Sequence, residues 1–273
     1  MKFPAAAVTF DLWHTLIYLR PRAEERYVQQ QSALAADVLE SSPVRRGGPR
    51  LGREALEEAF RKERVRAVAA ADQGRVVTVA EQIAHVGLAT GRKVDPEAYL
   101  ALLEREVART PFLRASGAIS TLRELRKEGY RVALVSNTVG EPGAFLRPVL
   151  HHLGLDRWFE TCVFSDEQPC TKPAPQIFRT ALRAVGSDPA HALHVGDGWG
   201  DIEGARRAGY RSYVYFLGLQ DYGPSYRALH AAAKGHQIVA DHRIDHLGAL
   251  LPLVRRLLGH PKSPPSPTGG NRP

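Results

Sequence analysis

Four segments of this chain each deliver a charged or hydrogen-bonding residue where an apolar run ends, and no other feature constrains the fold as tightly. The run Ala5-Ala6-Ala7-Val8-Thr9-Phe10 ends in Asp11. Arg131-Val132-Ala133-Leu134-Val135 leads into Ser136-Asn137-Thr138. Cys170-Thr171-Lys172-Pro173-Ala174-Pro175 stands just before a helical stretch that starts near Gln176. Ala192-Leu193-His194-Val195 opens into Gly196-Asp197-Gly198-Trp199-Gly200-Asp201. Short apolar runs alternating with helix-length segments predict parallel strands. The carboxyl ends of such strands are where open α/β sheets hold ligands.

The pattern between the runs sets the organisation. Strands are expected at 132–136, 161–164, 192–195 and 212–216, a core helix at 116–128 closed by Gly129, and a last helix at 244–258. Between the first strand and the core helix the sequence reads as helices at 21–39, 53–71, 78–89 and 95–110. Asp95-Pro96 is an N-cap followed by proline at the first helical position. Thr78 with Glu81 forms a capping box. The expected fold class is therefore α/β: a Rossmann-like, doubly wound parallel sheet core from residues 1–18 and 113–258, with an inserted all-helical cap domain at 19–112. The Pro-, Ser- and Gly-rich residues 259–273 read as a disordered tail.

Charge and cysteine content narrow the function classes. The net charge of +8 invites a nucleic-acid reading. Acids interleave with the bases, however, as in Arg53-Glu54 or Glu57-Glu58 ahead of Arg61-Lys62-Glu63-Arg64, the pattern of solvated helix faces. This interleaving counts against nucleic acid, and a positive field suits small phosphorylated partners. Arg45, Arg46 and Arg50 read as a solvated loop. No apolar stretch approaches membrane-spanning length and no secretory signal stands at the start. Cys162 and Cys170, the only cysteines, read as reduced thiols of a cytoplasmic protein. His242 and His246 have metal-ligand spacing but read as surface residues that begin the last helix.

With a carboxylate, a hydroxyl, a lysine and an acidic pair at strand ends in that order, the chain resembles the haloacid dehalogenase-like (HAD) hydrolase superfamily with a type 1 helical cap. The resemblance implies a magnesium-dependent phosphohydrolase acting on a small phosphorylated metabolite through an aspartyl-phosphate. It implies Asp11 as the nucleophile, which suits a carboxylate. Asp11, Asp197, Asp201 and the backbone carbonyl of Trp13 would hold Mg²⁺, a hard cation that takes oxygen ligands. Ser136, Lys172 and the backbone around Asn137 would bind the phosphoryl oxygens.

One position departs from the family. Its phosphatases carry a second Asp two residues after the nucleophile as acid and base, and here that residue is Trp13. An indole can donate a hydrogen bond but cannot serve as that acid. Three readings stay open: a phosphatase limited to good leaving groups or helped by His14, a 2-haloacid dehalogenase-like hydrolase, or a catalytically weak HAD-fold binding protein. The family's dehalogenases also have an aromatic residue at this position, but they lack the Gly-Asp start of the fourth motif that Gly196-Asp197 retains.

Overall fold

The computed structural model describes residues 5–229 and 236–261. In chain order, β1 (Ala7–Phe10) and the two-residue β2 (Ile17–Tyr18) lead into α1 (Pro21–Ser41), α2 (Arg53–Asp72), α3 (Val79–Ala89) and α4 (Pro96–Arg109). Then come β3 (Leu113–Arg114), α5 (Ala118–Lys127), β4 (Arg131–Ser136), α6 (Gly143–His152), β5 (Thr161–Phe164) and α7 (Pro175–Ala184). The last third holds β6 (Ala192–Gly196), α8 (Trp199–Ala208), β7 (Ser212–Phe216), α9 (Pro224–Leu229), β8 (His242–Ile244) and α10 (Leu250–Leu258).

Six strands form one sheet in the order β5-β4-β1-β6-β7-β8, every neighbouring pair parallel. Strand β1 is central, and the chain leaves it to one side for β4 and β5 before returning to β6 on the other. That reversal opens a crevice at the carboxyl end of β1, the position such sheets use for ligands. The fold is the expected Rossmann-like α/β arrangement.

Alternation along the strands builds two apolar layers. Val8, Phe10, Val132, Leu134, Leu193 and Val195 face one side with Leu122 and Leu125 of α5 and Val254 of α10. Ala7, Ala133, Val135 and Ala192 face the other with Ile177 and Phe178 of α7 and Ala205 of α8. The small residues on the second face let α7 and α8 lie close to the sheet. Parallel strands buried on both faces read as near-continuous apolar runs, which is why they were legible.

Helices α1–α4 pack on one another in a block between β1 and α5. Thr78 Oγ1 accepts from Glu81 N while Glu81 Oε2 accepts from Thr78 N, completing the expected capping box. Asp95 Oδ1 accepts from Glu97 N at 3.1 Å. The short β2–β3 ladder, antiparallel, joins the entrance and exit of the block.

The end of the chain differs from expectation. Residues 242–244 form edge strand β8 beside β7, and the helix begins only at Leu250. His242 therefore stands on a strand, and His246 N-terminal to the helix. Apolar residues at Ile244, Leu247 and Leu250 continue a helical period through the turn, which hid the boundary. Of the expected tail, Gly259 is held by a 2.6 Å hydrogen bond from Tyr130 Oη to its carbonyl; residues 262–273 lie outside the described residues. Among the described residues no helix is long and apolar enough to cross a membrane.

Candidate active site

Strands β1 and β6 run side by side in register, Phe10 opposite Val195, so the residues that follow each emerge together. Oxygens of Asp11, Asp197 and Asp201 consequently lie within 4.8 Å of one another. Gly196 makes this possible: a Cβ there would lie 2.2 Å from Asp201 Cγ. Asp201 sits in the first turn of α8, where Gly198 N donates to its Oδ2 at 3.0 Å.

Lys172 closes the cluster from the loop between β5 and α7. Its ammonium donates to Asp11 Oδ1, to Asp201 Oδ1 at 2.6 Å and to the Val135 carbonyl at 3.1 Å. The Asn137 side chain fixes that loop, accepting from Lys172 N at 2.9 Å and donating to Lys172 O at 3.1 Å. A second support comes through the sheet. His194 Nε2 lies 3.2 Å from Asp201 Oδ1, its Nδ1 lies 2.8 Å from Thr9 Oγ1, and Thr9 lies 3.2 Å from the Tyr210 hydroxyl. The ring of His194 meets Phe178 edge-on at 4.9 Å. Thr15 Oγ1 lies 3.4 Å from both Asp11 Oδ2 and Asp197 Oδ1, and the Tyr222 hydroxyl donates to Asp197 Oδ2 at 2.8 Å.

Lys172 bonds two of the three carboxylates, and their electrostatics divide accordingly. Burial pushes Asp201 up, but Lys172 and His194 outweigh it and hold the group below the usual carboxylate range. Burial also dominates at Asp11, which stays raised although Lys172 opposes the shift. Among the described residues no cation bonds Asp197 directly; burial, then repulsion from Asp11, pushes it up to about 7. Burial lowers the Lys172 ammonium, but Asp11 and Asp201 prevail and raise it, so it stays charged.

The carboxylates open into a cavity of about 360 Å³ whose other wall is the helical block, including Tyr27, Gln31 and Arg64. Trp13 lines it as well, its ring edge-on to Phe112 at 5.4 Å.

A family model described as haloacid dehalogenase-like hydrolase matches residues 5–209, a span that contains every one of these groups except Tyr210 and Tyr222. The chain belongs to this family. It is 32% identical over 135 residues to phosphoglycolate phosphatase 1 of Pseudomonas aeruginosa, covering 49% of this chain and 47% of that one. It is 36% identical to glyceraldehyde 3-phosphate phosphatase of Pyrococcus furiosus over 54% of this chain and 56% of the relative. The matches thus span about half the length of these two relatives. Among solved structures, a HAD phosphatase from Thermococcus onnurineus superposes with a TM-score of 0.60 at 23% identity, covering 93% of this chain and 98% of that one. At that identity the likeness shows the HAD fold alone.

Of the residues expected from the HAD motifs, Asp11, Trp13, Asn137, Lys172, Asp197 and Asp201 all line the cavity. Ser136 does not: it ends β4 at 1% exposure, its hydroxyl making one long 3.4 Å contact with Asn137 O. His14 is the clearest departure from expectation. It is buried with φ of 54° on a sharp turn rather than an extended segment, its Nε2 lies 3.0 Å from Glu24 Oε1, and it does not line the cavity. It is not placed to replace the missing acid. Arg45, Arg46 and Arg50 are exposed and lie away from the cavity lining. Burial pushes the Cys162 thiol up to about 11, and the residue does not line the cavity.

Sequence reasoning missed Thr15, His194 and Tyr222. Thr15 had a signal, a hydroxyl four residues after Asp11 in a turn that folds back. His194 had one too, a lone imidazole inside a strand that is otherwise apolar. Tyr222 had none, because its place depends on how the chain returns after β7.

Proposed function

We propose that the protein is a magnesium-dependent phosphohydrolase that uses Asp11 to take the phosphoryl group from a small phosphorylated metabolite. The observation that carries this reading is the convergence of Asp11, Asp197 and Asp201 on one cavity, with Lys172 bonded to two of them. The donor set fits a hard divalent cation: three carboxylates supply oxygen, and the raised Asp197 marks negative charge that Lys172 alone does not balance. Asp11, Asp197 and Asp201 would hold magnesium, with the Trp13 carbonyl as a further ligand by family resemblance. When bound, the ion supplies the positive charge that lets a carboxylate approach a phosphate dianion.

The chain's own residues do the rest. An Asp11 oxygen attacks phosphorus, the bond from phosphorus to the ester oxygen breaks, and the leaving group departs. Water then attacks the aspartyl-phosphate and releases inorganic phosphate, restoring the Asp11 carboxylate. Lys172 offsets charge on the phosphoryl oxygens while staying bonded to Asp201, aided by the backbone around Asn137 and by Ser136 once its hydroxyl turns from Asn137 O. Helices α1–α4, residues 19–112, act as the cap on a core of 1–18 and 113–258, excluding water and choosing the substrate. Trp13 gives no proton, so leaving groups that need none react best. Two free cysteines and the lack of a membrane-spanning helix among the described residues support a cytoplasmic setting.

The relatives' names support a small phosphorylated substrate. The dehalogenase alternative draws on Trp13 alone and leaves the paired Asp197 and Asp201 without a purpose. The test is phosphate release from p-nitrophenyl phosphate with magnesium and with chelator, run beside chloride release from a 2-haloacid. Phosphate release abolished by chelator is the expected result. Chelator-insensitive chloride release would overturn it in favour of the dehalogenase reading.

A further inference from the structure

Arg64 is the one cation of the helical block that lines the cavity and is almost wholly buried, at 8% exposure. Its Nη1 donates to the Val139 carbonyl at 3.1 Å, and it forms no ion pair with a carboxylate among the described residues. The neighbouring Glu141 accepts from Gln31 Nε2 at 2.8 Å and makes no direct bond to the guanidinium, although it lies close enough to share part of its charge. The loop is shaped around the guanidinium: a Cβ at Gly140 would lie 2.6 Å from Arg64 Nη2. A charge taken from water without a counter-ion is costly, and the cost falls when an anion arrives to face it. Guanidinium presents a planar fork that fits carboxylate or phosphate through two parallel bonds.

Lys172 and Arg64, one from the core and one from the helical block, thus place two buried cations in the lining of one cavity of about 360 Å³. We propose that Arg64 binds a second anionic group of the substrate, so that this chain selects small phosphomonoesters carrying a carboxylate or a further phosphate. The proposal rests on the phosphohydrolase reading and adds to it which phosphate esters the cavity accepts. The cavity volume stands at the small end for ligand sites, which suits a compact dianionic or trianionic metabolite.

The test compares kcat/KM for 2-phosphoglycolate and for a sugar bisphosphate with that for glyceraldehyde 3-phosphate and p-nitrophenyl phosphate, whose remainders are uncharged. The wild type should favour at least one of the first two, and which one tells carboxylate from phosphate. In Arg64→Met that preference should fall about 10- to 100-fold, the range for loss of a charge-assisted hydrogen bond. Arg64→Lys, which keeps the charge but not the fork, should recover part of it. Equal loss on charged and uncharged esters in both variants would make Arg64 structural and overturn the proposal. Calorimetric binding of the same esters to Asp11→Asn separates the two readings. A preference for the doubly anionic ester in binding, with no turnover of any ester by the wild type, would uphold Arg64 and sink the phosphohydrolase. No preference in either binding or turnover would sink the role of Arg64 itself.

Discussion

The two walls of the cavity are built on different rules. The strand-end wall is over-determined: Asp201 is reached at once by Lys172, His194 and the Gly198 amide, and Asn137 clamps the loop that carries Lys172. The helical wall is sparse by comparison, and Arg64 is held there by one backbone carbonyl. A group bonded from three sides keeps its position through a reaction. A group with one bond and a spare charge can turn toward whatever enters. That difference in the number of partners suits the proposed division, with chemistry on the sheet and recognition on the helices.

The largest test of this division is Asp11→Asn. It removes the proposed nucleophile while keeping the shape, so turnover should fall by at least roughly 10⁴-fold, the scale seen when a reacting group is lost. Circular dichroism should show the fold unchanged. Retained turnover would mean that the strand-end wall holds no nucleophile at Asp11, and the contrast between the walls would lose its chemical half.

Trp13→Asp comes next, and it acts on the boundary between the walls. Trp13 packs on Phe112, which in turn meets Tyr27 of α1 at 5.8 Å, so the ring links the loop after Asp11 to the helices. If only the acid is missing, an aspartate should raise turnover of a poor-leaving-group ester, up to about 10²–10⁴-fold. Lower thermal stability should accompany the gain, because the aromatic contact is lost. An unchanged rate, with the melting temperature lowered, would show that the ring's packing matters and that proton supply does not limit the reaction.

His194→Gln tests how far the strand-end wall depends on its support inside the sheet. This positioning residue touches Asp201 and Thr9 but does not line the cavity. Such outer partners of metal-holding groups are worth about 10- to 100-fold in metal affinity or activity. The expected result is a magnesium requirement moved to higher concentration with saturating kcat changed less. A loss of kcat that added magnesium does not mend would contradict a positioning role.

The same contrast explains what the sequence disclosed. Asp11 and Asp197 were legible because each follows an apolar run, and parallel pairing brings strand ends together whatever the loops do; Lys172, in the loop before α7, and Asp201, in the first turn of α8, were legible from the order of the motifs. Thr78 and Asp95 were legible because caps are local chemistry. Arg64 was not. It sits in Arg61-Lys62-Glu63-Arg64, which reads as a solvated face, and only the packing of α2 against the core leaves Arg61 and Lys62 exposed while Glu63 and Arg64 are buried. Edge strand β8 and the β2–β3 ladder were hidden for a related reason, since elements of three and two residues are defined by their partners and carry no period of their own.

The smallest expected effect lies at the seam where the walls meet. Glu24 of α1 accepts from Gly223 N at 2.6 Å through one oxygen and sits 3.0 Å from His14 Nε2 through the other. It thereby ties the helical block to the nucleophile loop and to the segment after β7. His14 holds a left-handed backbone, φ 54°, that a non-glycine residue adopts only when its surroundings compensate, and the Glu24 contact is part of that compensation. Glu24→Gln keeps the shape and one hydrogen-bonding oxygen but removes the charge, at a cost of about 1.5–3 kcal/mol for a charge-assisted bond. The melting temperature should drop, and KM should rise by a few-fold with kcat nearly unchanged, because the carboxylate cluster keeps its own partners. A fall in kcat as large as that of His194→Gln would show that the seam also positions Asp11, and the two walls would then have to be treated as one device.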